Sequence, residues 1–417
     1  MILEEGGVPQ QHVLDGGAGA LEVLDTAPNS PAAWIDRRVA RPLPIAERTF
    51  DAVLFPQSGT LWTLVLIQHH VIADALSGQL IFDALAKAYE QGTQVDELDG
   101  NRLPSFSDWA KRERIGRDLT AVRYWAEQLA EPLQPPRLYT RPLHPPHPAC
   151  SRHLVQLGPE RTARLDAITE TVSFSALTSQ QSRFQILLTV LSAWIARVSA
   201  ERHFALGIAT HGRRTLEEKR TPGLFMELFP LEAQLDPDET FTSLHSRLSD
   251  GTFDVLRHAA PGTSSAEGHS RFNVVLNYIP GSFREFAGSP VRVEWLDHRH
   301  CDPNHALWLD VTDFSGSGEP VLAFRFNESV FDPDLQAQAL AEFLCLLDAL
   351  LDNPDTAVDA VPLAAESSAS AALTRPAEPA PAAPPDVLAA FSARVEAAPN
   401  ALAIEGDGGA LSRAELA

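Results

Sequence analysis

The sequence predicts an α/β (α+β) protein in which mixed sheets pack against helices. Three observations predict it. Runs of strand length, such as "FDAVLFP", "LWTLVLIQHH", "RFNVVLNYIP" and "LWLDVTDF", are rich in β-branched and aromatic residues. Other stretches place apolar residues at helical spacing. A proline-rich bridge at 132–148 and an Ala/Pro/Ser segment at 364–385 divide the chain into units of domain size.

Taken in order, "FDAVLFP" and "LWTLVLIQHH" read as strands. "ADALSGQLIFDALAKAYEQG" follows as a helix, with Leu76, Leu80, Ile81, Ala84, Leu85 and Ala88 on one side and Gly92 as its stop. "FSDWAKRERIGRDLTAVRYWAEQLA" reads as a second helical stretch with its aromatics on one side. The prolines of 132–148 argue against regular structure there. "RHLVQLGPERTARLDAI" predicts a strand then a helix, and "SRFQILLTVLSAWIARVSA" a largely buried helix. "HFALGIATHGRR" predicts a strand running into a loop. "PGLFMELFPLEAQL", "RFNVVLNYIP", "VRVEWLD", "LWLDVTDF" and "PVLAFRFNESVF" predict strands, and "PDLQAQALAEFLCLLDALLDN" a closing helix. Residues 364–385 have the composition of an extended linker, and 386–417 are too few for a stable domain of their own.

Composition narrows the function. At 417 residues, 44% hydrophobic and 21% charged, the chain can bury a large core. A net charge of -22 argues against nucleic acid, which needs clustered cations. The three cysteines, Cys150, Cys301 and Cys345, are far apart and form no CxxC pair, which fits a reduced, cytoplasmic setting. "MILEEGGVPQ" lacks the apolar segment of a signal peptide. Gln185 and Arg197 interrupt the longest apolar stretch, so no membrane span is expected.

The chemistry concentrates in "LIQHHVIADALSG", residues 66–78. His69 and His70 end a strand just before a helix, with Asp74 four residues after the second ring. Adjacent strand residues point to opposite faces, so the two rings share a task only if the chain turns between them. A neutral imidazole is suited to accept a proton near pH 7. A histidine at a strand end is also commonly a satisfied core or surface residue. His70 and Asp74 could supply two metal ligands, but no HExxH or third ligand completes a set, so no metal is expected. A Ser-His-Asp triad lacks a GxSxG elbow, and no phosphate loop of the GxxxxGK[ST] type is present.

"HHVIADALSG" resembles the HHxxxDG motif of condensation domains from nonribosomal peptide synthetases. "SFSDWAKRE" (105–113) is similar to the family's YxDYAxWQ segment, and "YWAEQLA" (124–130) to its YWxxxLA. Residues 186–213 are similar to the helix, strand and GxPxxGR loop of the second lobe, and "TPGLFMELFPLEAQL" (221–235) to GxFVNTLPLR. "FNVVLNYIP" and "FNESVFDPDLQAQ" match later segments. Residues 391–417 are similar to the beginning of an adenylation domain. The family's opening SxAQxR and RHExLRT motifs have no counterpart, so the first lobe is expected to be incomplete, either as a gene fragment or with something else covering the gap.

The resemblance implies two lobes like chloramphenicol acetyltransferase, arranged as a V: 1–150 and 151–363, then the 364–385 linker and an incomplete adenylation domain at 386–417. It implies amide bond formation, at the interface of the lobes, between an acyl or peptidyl thioester on an upstream carrier and an aminoacyl group on a downstream one. Phosphopantetheine arms of those carriers bear the substrates, and no cofactor is bound directly. His70 would be catalytic, as general base or orienting partner, and His69 a buried supporting ring. Asp74 would be structural and pair with Arg213 rather than Arg214. Ala75 stands where the family has glycine, a swap that is either harmless in a helix or narrows the acceptor side. The amides near Ala75–Gly78 are candidate oxyanion donors. Competing readings are an inactive or docking module of the synthetase and a coenzyme A-dependent acyltransferase of the same fold.

Overall fold

Strands in the first part of the chain form where apolar residues alternate. The computed structural model describes residues 1–13, 21–92, 103–115, 118–141, 148–296, 300–363, 395–396, 398–406 and 409–416. β1 (Ile2–Glu5) and β2 (Val8–Gln11) form a hairpin around Gly6 and Gly7, both at positive φ. β3 (Glu22–Val23) runs parallel to β4 (Phe50–Ser58), which pairs antiparallel with β5 (Leu61–Gln68). Across this sheet α1 (Pro31–Val39) sets Trp34 edge-on to Phe55, at 5.8 Å between centroids. The buried core here is Val53, Phe55 and Val65. The opposite side of β5 leaves Trp62, Leu64 and Leu66 exposed.

α2 (Ala75–Gln91) starts at the Asp74 cap and stops at Gly92, whose φ is 63°. Its apolar positions are only partly covered, and Ser77 is its one buried residue. The expected single helix over 106–130 is two: α3 (Phe106–Ile115) and α4 (Leu119–Gln128). The reason is Asp118, whose carboxylate takes the Thr120 and Ala121 amides as an N-cap. The described part of the proline-rich bridge contains a short turn, Leu138–Thr140, with Leu138 buried in the main core. Residues 142–147 lie outside the described residues.

The second part builds a six-stranded sheet from β6 (Cys150–Gln156), β7 (His203–Thr210), β8 (Glu227–Gln234), β9 (Val274–Ile279), β12 (Leu307–Thr312) and β13 (Val321–Asn327). Its order is β6-β13-β12-β9-β7-β8. The β7–β9 and β9–β12 pairs are parallel, and the rest antiparallel. A small hairpin, β10 (Glu285–Phe286) with β11 (Ser289–Pro290), follows β9. One face of the sheet packs a large core against α5 (Gly158–Thr169), α6 (Ser179–Ser199), α7 (Phe241–His258) and α9 (Pro333–Asp352); α8 (Ala266–His269) is a single turn. The expected strand "VRVEWLD" is absent at 291–296; Val291 bonds back to Arg284, and Trp295 gives its carbonyl to Arg152.

Chain contacts separate Met1–Leu363 from Ala364–Ala417. The two segments read as lobes, 1–150 and 151–363, both lie in the first unit. The second unit contains β14 (Leu402–Gly406) paired with β15 (Gly409–Ser412), then α10 (Arg413–Leu416). The linker expected at 364–385 lies outside the described residues. Among the described residues no helix is long and apolar enough to cross a membrane.

Candidate active site

The site is built from the cap of α2 and the loop after β7. Asp74 has extended backbone and caps α2 by accepting the Ser77 amide at 2.9 Å. The same carboxylate forms a two-point pair with Arg213, Nη1 to Oδ2 at 2.5 Å and Nη2 to Oδ1 at 2.9 Å. Their side chains are 2% and 1% exposed. The Phe225 amide donates to Asp74 Oδ2 at 3.0 Å, and the Phe225 ring lies 4.1 Å beneath the guanidinium. Burial pushes the Asp74 carboxyl up, but the hydrogen bonds and charge of Arg213, with Ser77, outweigh it and hold it below its ordinary 3.8. Removing one partner of such a pair costs about 3–5 kcal/mol, because the other charge is left buried.

Arg214 does not join this pair. It donates to the Ala259 carbonyl at 2.7 Å and approaches Asp118 at 3.8 Å. The turn that aims Arg213 depends on Gly212, at φ 61°, where a Cβ would sit 2.3 Å from the Phe225 carbonyl oxygen.

Sequence reasoning missed Ser77 and Gly223. Ser77 is 0% exposed. Its hydroxyl lies 2.7 Å from the Gly223 carbonyl and 2.8 Å from Asp74 Oδ1, and accepts the Gly223 amide at 2.9 Å. A Cβ on Gly223 would meet the Phe106 ring at 2.0 Å. A polar residue on the core-facing side of a helix was the available signal for Ser77.

The two histidines are set into opposite roles by the turn between them. The His69 amide extends the sheet by bonding the Thr49 carbonyl, and the Ile72 amide closes a turn onto the His69 carbonyl. The chain therefore does turn after His69. His69 Nδ1 accepts the Val71 amide at 3.1 Å, so its neutral form carries the proton on Nε2. His70 Nδ1 lies 2.9 Å from the Ala73 carbonyl. A carbonyl can only accept, so Nδ1 donates and the Nε2 lone pair is left available.

Three expectations change here. His69 is half-buried rather than buried. His70, expected at the interface of the lobes, is exposed, because it follows a strand at the end of its sheet whose outward residues are themselves exposed. The Ser77 and Gly78 amides are not oxyanion donors, since they bond Asp74 Oδ1 and the Asp74 carbonyl. Ala75 and Leu76, in the first turn, are the positions whose amides a helix leaves without an internal partner. Among the described residues no group of three or more His, Cys, Asp or Glu is placed to hold a metal ion.

Comparison with known proteins gives this geometry a family. A condensation domain model matches residues 1–373. The chain is 26% identical over 376 residues to the PKS-NRPS hybrid synthetase cheA of Chaetomium globosum, covering 86% of this chain and 8% of that protein. It is 23% identical over 403 residues to a linear gramicidin synthase of Brevibacillus parabrevis, covering 89% and 5%. The chain thus spans less than a tenth of the length of these relatives. Among solved structures, the starter condensation domain of rhizomide synthetase RzmA superimposes with a TM-score of 0.71 at 17% identity, over 86% of this chain and 83% of that one. The first condensation domain of the CDA synthetase gives 0.68 at 20%, over 87% and 86%. These likenesses show the chloramphenicol acetyltransferase-like fold, and with the family match over most of its length they show that the chain belongs to the condensation domain family.

Proposed function

We propose that this domain joins a carrier-borne acyl or peptidyl thioester to a carrier-borne aminoacyl group, with His70 serving the attacking amine. Condensation domains are the amide-forming, acyltransferase-type catalytic domains of nonribosomal peptide synthetases. The observation that carries the assignment of His70 is its fixed tautomer: Nδ1–H is committed to Ala73, and Nε2 is left as the acceptor on an exposed ring. Exposure lets a tethered substrate reach the ring from solution.

In the proposed step the amine nitrogen attacks the thioester carbonyl. The carbon–nitrogen bond forms, the carbon–sulfur bond breaks, and the donor carrier's thiol leaves with a proton. The attacking nitrogen loses its proton to His70 Nε2, which hands it on to the departing sulfur and returns to its neutral form. A thioester is already activated, so alignment of two tethered reactants supplies much of the rate, with up to about 7–11 kcal/mol available from proximity. General base assistance adds about 10²–10⁴-fold. Asp74 and Arg213 hold the frame and take no part in proton transfer. The two regions 1–150 and 151–363 act as the lobes, and 386–417 begins an adenylation domain that follows in the same synthetase. The carriers upstream and downstream are the partners, and their phosphopantetheine arms deliver both thioesters.

The test loads donor and acceptor carriers separately and compares wild type with His70→Ala. Loss of peptide product in the variant is expected; equal product from both proteins removes His70 from the reaction.

A further inference from the structure

The loop that presents Arg213 is closed from behind by a residue of α3 that the scheme above leaves unused, Trp109, working with Glu218 of the loop itself. Glu218 is 7% exposed. Its carboxylate accepts the amides of Arg214 and Thr215, both at 2.6 Å, and the indole N–H of Trp109 at 2.9 Å. Its backbone carbonyl accepts Arg213 Nε at 3.1 Å. Burial pushes this carboxyl up, yet the donors from Thr215, Trp109 and Arg214 outweigh it and keep Glu218 charged. The Trp109 ring also lies 4.4 Å from the Phe225 ring. Phe225 supports the guanidinium with its ring and Asp74 with its amide. One indole therefore touches both supports of the ion pair: the carboxylate that folds the Arg213 loop and the ring on which the guanidinium rests.

From Asp74 the route to the imidazole is one peptide long. The carbonyl that fixes the His70 tautomer belongs to Ala73, and Asp74 holds the other end of that peptide group. Resting on the reading of His70 given above, we propose that Trp109 is a positioning residue for His70, acting through Glu218, Arg213 and Asp74 on the Ala73 carbonyl. Loosening this chain frees the Ala73–Asp74 peptide to turn. The Nδ1–H bond to Ala73 is then lost, and the imidazole proton moves to Nε2, where it occupies the lone pair the reaction needs. The effect falls on the chemical step and not on carrier binding, since Trp109 sits behind the loop and not on His70.

Two variants test this in the full chain. Trp109→Phe keeps a ring on Phe225 and loses the N–H; Glu218→Gln keeps the size and loses the charge. Single-turnover rate at saturating carriers is expected to fall about tenfold in each, a partial loss of the ~10²–10⁴-fold a general base supplies. The KM for either carrier stays within about twofold. Nitrogen NMR of His70 is expected to show the ring proton shifting from Nδ1 to Nε2. Trp109 loses the assigned role if His70 keeps its Nδ1–H tautomer in both variants, or if the rate is unchanged while the tautomer moves. A His70→Ala protein as active as wild type refutes the catalytic reading instead, while the tautomer in the two variants still reads the positioning claim by itself.

Discussion

The three-stranded sheet and the six-stranded sheet are organised on different scales. The first buries Val53, Phe55 and Val65 and leaves Trp62, Leu64 and Leu66 exposed on its other side. The second buries side chains from five helices and five of its six strands, including Trp194, Phe324 and Phe343, in one continuous core. Yet the candidate catalytic histidine belongs to the lightly packed region. What holds it is a graft: Asp74 and Ser77 reach into the heavily packed region and bond Arg213 and Gly223, whose loop extends from β7. Precision at His70 comes from one buried polar junction and not from a local core.

The largest effect expected from breaking that junction is on Arg213→Ala. It leaves Asp74 buried without its partner and should lower stability by about 3–5 kcal/mol, as read by denaturant unfolding. Arg214→Ala, which strips a cation not bonded to Asp74, should cost far less. The cores themselves give the next contrast. Phe343→Ala should lower the main unfolding transition by about 3–5 kcal/mol. Phe55→Ala is equally buried, but its cluster is small. It should open β3, β4 and β5 locally, seen as lost hydrogen-exchange protection there with the main transition in place.

The pH response sharpens the contrast further. His245, buried on α7, has its pKa lowered to about 4 by desolvation, from an ordinary 6.5. Between those values the unfolded chain binds a proton that the folded chain refuses. Stability is thus fully present above about 6.5 and falls as pH drops toward 4, by about 3 kcal/mol for this group. His245→Phe should flatten the dependence of Tm on pH across that window. Asp74 works lower down: its depressed pKa stabilises the fold above its ordinary 3.8, and the contribution disappears as pH falls through the folded value.

The smallest effect tests the weakly packed side alone. Gly78 sits in α2 with ordinary backbone and nothing within 4 Å of where a Cβ would go. Gly78→Ala should therefore stabilise by about 0.5–1 kcal/mol, as a raised Tm, by restricting the unfolded chain.

How much of this was readable depended on whether the cause was local. The helix stopping at Gly92 lies where the glycine put it, and the strand read through His69 and His70 is present but ends at Gln68, where the chain begins to turn. "VRVEWLD" alternates like a strand, but its described residues, 291–296, form none, since pairing is not a local property. The helix of 106–130 is broken by the Asp118 cap, a signal present in the sequence and overridden by the apolar spacing around it. The helix from Phe241 to His258 was unread although Thr240 and Ser243 form a capping box before apolar residues at helical spacing. In the site, Asp74 and Arg213 could be paired only through a family resemblance. The Ser77–Gly223 contact spans 146 residues, and no local pattern announces it.

If the Asp74–Arg213 junction holds His70 in register, a double-mutant cycle on the amide-forming rate reads it out most directly. Asp74→Ala, Arg213→Ala and the double variant would be compared in single turnover with loaded carriers. The double variant is expected to be no slower than the slower single variant, because either substitution already undoes the junction. Losses that simply multiply in the double variant would show that the two residues act independently, and would contradict this expectation.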